Sequence, residues 1–141
     1  MAQSAPIILL SAEEKLLLFS LKSLWTEKEK NELEHSIDEI TNWDYFNDRA
    51  VDTYLGTTVY VRLVKQLKLD FPEHVHKVLE SMYFQVLVKN TQLIGAYDSL
   101  EIAFNKLELS YIPLKGIHFL KNSFSNDIGI RQLSDIDILF Q

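Results

Sequence analysis

Apolar positions along the chain fall at helical spacing for most of its length, then change texture near residue 108. Ser11-Ala-Glu-Glu14 is a capping box, a serine with a glutamate three residues on, followed by Leu16, Leu17, Leu18, Phe19 and Leu21. The pattern predicts a helix over about 12 to 24. Thr26 and Glu29 form a second box, opening a helix to about Ile40 with a narrow stripe of Leu33, Ile37 and Ile40. Thr41 or Asn42 caps a third helix through Trp43, Phe46, Ala50 and Tyr54, which Gly56 is expected to end. A fourth is expected from Thr57 to Leu67, and Pro72 suits the first turn of the next. From Glu73 to about Leu107 the only breaker is Gly95, so this segment reads as one long helix or as two meeting near Asn90 to Gly95.

After Leu107 the spacing shortens. Leu109-Ser-Tyr-Ile-Pro-Leu-Lys115 reads as an edge strand or strand entry, punctuated by Gly116. Ile117 to Phe124 reads as a short amphipathic helix, Ser125 to Gly129 as a turn, and the segment from about Ser134 as a second strand. The order is five helices, then strand, helix, strand. We expect an α+β protein with a helical region at 1–107 and an incomplete sheet at 108–141.

Composition narrows the partners. The hydrophobic fraction is 47%, the charged fraction 24% and the net charge −6, and no Lys/Arg cluster offers a polynucleotide backbone a footprint. Nine acidic residues lie between Glu27 and Asp52 against Lys28, Lys30 and Arg49, the pattern of a solvated helix face. Without cysteine there is no disulfide, thiolate metal site or cysteine nucleophile. The apolar run at the N-terminus lacks a basic region and is short for a signal peptide, and no stretch is long enough to cross a bilayer. A cytoplasmic location is expected.

The candidate chemistry lies at the C-terminal end. In a strand, alternate side chains share a face, so Asp135 and Asp137 would point the same way, about 7 Å apart along the backbone. Two carboxylates so placed call for a cation, and Mg²⁺ is the simplest. A strand ending at Lys115-Gly116 lets a phosphate approach the backbone, and the next helix offers unpaired N–H groups to it. His74 and His76, two apart on a predicted helix, do not share a face and make an improbable metal pair.

Leu114-Lys115-Gly116 followed by Arg131-x-x-x-Asp135-Ile136-Asp137-Ile138-Leu139 resembles the uncharacterised nucleotidyltransferases of the polymerase-β-like superfamily, which pair such strands with a helical N-terminal region. The resemblance implies a nucleotidyltransferase fold, two Mg²⁺ ions and a nucleoside triphosphate substrate. It implies that Asp135 and Asp137 are catalytic metal ligands, that Gly116 opens the phosphate-binding helix, and that Lys115 and Arg131 contact phosphate or support the carboxylates. The acceptor, a small molecule or a protein side chain, is left open. The superfamily also uses a third carboxylate on a later strand. Nothing after Asp137 is acidic, so a truncated catalytic core, inactive by itself, is expected. The competing expectation is a non-catalytic binding or regulatory module whose open strand edge pairs with another chain.

Overall fold

A computed structural model describes residues 10–124 and 126–140. Most of the N-terminal apolar run and Ser125 of the expected turn lie outside those residues. Helix α1 (Ala12–Phe19) and helix α2 (Glu27–Asp38) each begin with the expected reciprocal capping box. Helix α1 stops at Phe19 instead of about 24. The Ser20 hydroxyl donates to the Leu17 carbonyl at 2.6 Å, and the Ser20 N–H is shared between the Leu16 and Leu17 carbonyls. This local competition closes the last turn.

Asn42 caps helix α3 (Trp43–Asp52), its side chain accepting from the Tyr45 N–H at 2.9 Å. The buried Glu13 carboxylate accepts from the Asn42 N–H at 3.3 Å and so fastens α1 to this corner. Its carboxyl is held below the usual range by its own backbone N–H, which with the Ser11, Asn42 and Thr41 groups outweighs burial. Tyr54, with φ of 57°, makes the left-handed turn after α3. Gly56 instead opens helix α4 (Gly56–Val59), where an added Cβ would lie 2.7 Å from the Met82 Cε. Its task is close packing against the long helix, not termination.

The fourth helix changes pitch midway. Tyr60–Gln66 is a π-helix, and its final turn closes on a Leu67 N–H to Arg62 carbonyl bond of 3.1 Å, five residues back. Glu73–Lys106 is a single helix of 34 residues, α5, with Pro72 one position earlier than expected, at the cap. Gly95 does not break it, and a Cβ there would meet nothing within 4 Å. Strand β1 (Tyr111–Leu114), helix α6 (Lys115–Asn122) and strand β2 (Asp137–Phe140) follow. The strands pair antiparallel, with Tyr111 opposite Phe140 and Leu114 opposite Asp137. The fold is α+β with a two-stranded sheet.

The main core lies among α1 to α4, the π-helix and the first half of α5. Leu16, Leu33, Phe46, Val59, Leu63 and Leu79 are buried there, and Trp43 meets Phe46 and Phe71 edge-on at 5.5 Å. The sheet has a smaller apolar contact of its own. Phe104 of α5 packs on Tyr111 and Phe140 at centroid distances of 5.0 and 5.1 Å. Lys121 of α6 bonds Asp98 at 2.8 Å and Glu101 at 3.3 Å, which hold its ammonium above the usual range. No helix among the described residues is long and apolar enough to cross a membrane.

Candidate functional site at the β1–α6 junction

Register positions the first pair of candidates. Because Leu114 faces Asp137 across the ladder, the residue after Leu114 lies beside that carboxylate. The Lys115 Nζ is 3.1 Å from the Asp137 carboxylate. Lys115 has φ of 48°, a left-handed conformation that costs a non-glycine residue about 1–2 kcal/mol. The turn from strand to helix is therefore strained at the residue that carries the amine, and such strain clusters at functional sites.

Helix α6 starts at this turn. Leu114 occupies its cap position in extended conformation and provides no side-chain hydrogen bond, so no side chain caps the start of the helix. Gly116 lies in that first turn. A Cβ on it would collide with the buried Leu133 side chain, so the glycine lets α6 seat directly on the segment leading to the aspartates.

Asp135 differs from expectation. Strand β2 begins at Asp137 and not near Ser134, so Asp135 lies just before the ladder, in a segment that strand alternation does not orient. Its carboxylate accepts from the Ser134 hydroxyl at 3.2 Å and is exposed, whereas Asp137 is half-buried. Both offer hard oxygen donors. Mg²⁺ is commonly held by one or two carboxylates with substrate phosphates and water, a set these residues fit. Among the described residues no group of three His, Asp or Glu side chains converges.

Arg131 stands apart from the other four. It lines a cleft of about 640 Å³ between residues 54–62 and residues 130–134. Arg62, Gln132 and Ser134 line the same cleft, as does Leu133, whose side chain also packs against Gly116.

The segment that delivers the aspartates is fastened by residues the sequence reading did not single out. Asn90, fully buried in α5, donates to the Ile128 and Arg131 carbonyls at 2.5 and 2.7 Å and accepts from the Leu133 N–H at 3.2 Å. Thr57 and Thr58 donate to the Ile130 carbonyl at 2.8 and 3.3 Å. Asp127 accepts from Lys65 at 2.8 Å, from the Tyr83 hydroxyl at 3.0 Å and from the Gly129 N–H at 3.2 Å. Burial alone would lower the Lys65 pKa, but Asp127 and Tyr83 raise it on balance. One signal pointed to Asn90. It is a polar residue on the buried stripe of α5 that includes Tyr83, Val86 and Tyr97.

Neither curated proteins nor solved structures yield a match to this chain. A family model described as "Uncharacterised nucleotidyltransferase" matches residues 39–141, which takes in α3 to β2 together with Lys115, Gly116, Arg131, Asp135 and Asp137. With nearly three-quarters of its length inside that match, the chain belongs to the family of uncharacterised nucleotidyltransferases.

Proposed function

We propose that the protein works in Mg²⁺-dependent transfer of a nucleoside monophosphate from a nucleoside triphosphate to an acceptor hydroxyl. The observation that carries this reading is the meeting of Lys115, Asp137 and the uncapped start of α6 at one strand–helix turn. Asp135 and Asp137 would hold Mg²⁺, which when bound supplies positive charge to the triphosphate. The first-turn N–H groups of α6 would bind phosphate oxygens, while Gly116 seats the helix on Leu133. Lys115, its side chain 76% exposed, pairs with Asp137 at 3.1 Å and has the freedom to swing to a phosphate oxygen.

In the transfer, the acceptor oxygen bonds to the α-phosphorus. The bond from that phosphorus to the oxygen bridging to the β-phosphate breaks, and pyrophosphate leaves with the electron pair. The acceptor hydroxyl proton passes to solvent. The protein's part is to position the phosphates and neutralise their charge.

Binding tests this reading directly. Calorimetry with the four common nucleoside triphosphates and Mg²⁺ should detect at least one, and Asp135→Asn or Asp137→Asn should weaken it at least tenfold. Lack of binding by any triphosphate, or affinity indifferent to both substitutions, would sink the assignment.

A further inference from the structure

The cleft beside the aspartates has no role in the scheme above, and its chemistry is specific. We infer that it binds the acceptor, and that the acceptor is a small molecule with an apolar body and an anionic group, a phosphate or a carboxylate. The inference rests on the nucleotidyl-transfer reading and names the second substrate of the same site.

Four observations carry it. At about 640 Å³ the cleft has the capacity of a small-molecule site. It has one arginine on each wall, Arg62 from the π-helix and Arg131 from the segment before the aspartates. Among the described residues no carboxylate pairs with either, although the sequence has 20 acidic residues against 14 Lys and Arg. Among the described residues, the Arg62 side chain donates only to Gln66, at 3.1 Å. Guanidiniums left without carboxylates suit bidentate binding of phosphate or carboxylate.

The walls are also fixed to each other. Thr57 and Thr58 bond across to the Ile130 carbonyl, so the cleft is formed before anything enters it. Leu55, Phe124 and Ile130 supply apolar surface for the body of the ligand. Arg62 is carried by a π-helix, a rare conformation that recurs at functional sites.

The cleft also opens in the right place. Ser134 lines it and donates its hydroxyl to Asp135, and Leu133 separates it from Gly116. Ser134 is the lining residue through which a ligand anchored on the arginines comes nearest to Asp135.

The probe for this is 4-nitrophenyl phosphate, with neutral 4-nitrophenol as control. In the unaltered protein, the Nε–H signals of Arg62 and Arg131 should move on titration with the phosphate and stay in place with the phenol. Arg62→Gln and Arg131→Gln should each weaken the phosphate about tenfold. Saturating MgATP should leave probe binding intact, and Asp137→Asn should spare the probe while losing MgATP. Equal binding of phenol and phosphate, or full affinity in both arginine variants, overturns the inference. So does displacement of the probe by MgATP, which would make the arginines part of the nucleotide's own phosphate site. If MgATP binds and the probe does not, this inference alone fails. If the probe binds and no triphosphate does, the acceptor assignment falls together with the nucleotidyl-transfer reading.

Discussion

Residues 127–133 and residues 134–140 are consecutive, yet the protein treats them in opposite ways. In the first segment, side chains from the π-helix, α4 and α5 hold the Asp127 carboxylate and the Ile128, Ile130, Arg131 and Leu133 backbone. In the second, Asp135 has a neighbouring serine, and Asp137 has one ladder partner and one exposed lysine. The fixed segment contains none of the proposed metal ligands, and the lightly held one contains both. Rigid support beneath an accessible site is how a scaffold holds reactive groups in position without burying them. The helical body is the support: three of its elements converge on the approach to two carboxylates.

Substitutions can break this contrast, and the largest effect should come from the fixed side. Asn90→Ala leaves the Ile128 and Arg131 carbonyls and the Leu133 N–H without partners, which should cost about 3 kcal/mol in urea unfolding. A loss below about 1 kcal/mol would mean water replaces the amide, and the support is weaker than drawn. Gly116→Ala drives a methyl into buried Leu133 and should cost about 2 kcal/mol by overpacking. Unchanged stability there would show that α6 does not seat firmly on the segment.

The turn itself can be probed by comparing two variants that both lack the amine. Lys115→Gly should be more stable than Lys115→Ala by about 1 kcal/mol, because only glycine adopts the positive φ without penalty. Equal stabilities would remove the argument for stored strain. On the lightly held side, Asp137→Asn should change unfolding free energy by about 0.5 kcal/mol or less, since its ion pair is with an exposed lysine. A larger loss would class Asp137 as a structural residue.

The smallest expected effect is a pH dependence at β1. The Tyr111 hydroxyl, donating to Glu101 at 3.0 Å, is pushed up to about 12, by desolvation first and by Glu101 second. An unfolded tyrosine loses its proton near 10, so this contribution to stability is complete below about 10 and is lost as pH rises toward 12. Absorbance at 295 nm should show late titration from Tyr111 and from Tyr60, whose hydroxyl is also pushed up by burial and by Glu80, and Tyr111→Phe should remove the Tyr111 share. If Tyr111→Phe leaves the late-titrating absorbance unchanged, the Tyr111–Glu101 bond does not hold in solution.

Much of the helical body was legible because its signals are local. The boxes at Ser11 and Thr26 and the Asn42 cap each satisfy N–H groups within three residues, and the structure keeps all three. Lys115, Gly116 and Asp137 could be picked out because a strand–glycine–helix turn and a paired aspartate motif carry chemistry in a short span. The rest depends on distance. Asn90 meets Leu133 across 43 positions, and Thr57 meets Ile130 across 73, so no spacing rule reveals them. Gly56 was misread for a related reason, since its neighbour is Met82, not the end of α3. Asp135 was assigned to a strand by alternation, but pairing stops where β1 runs out at Leu114.

The π-helix makes the protein sensitive to length in a place where it tolerates composition. Its wider turn accommodates Tyr60 to Gln66 while Arg62 reaches the cleft and Lys65 reaches Asp127. Adding one more residue between them, which the already widened turn has no slack to absorb, would rotate everything after it by about 100°. Lys65 would turn away from Asp127, and the 127–133 segment would lose one of its anchors. Exchanges among apolar residues in this stretch are matters of fit, whereas a one-codon insertion would change which direction the helix faces.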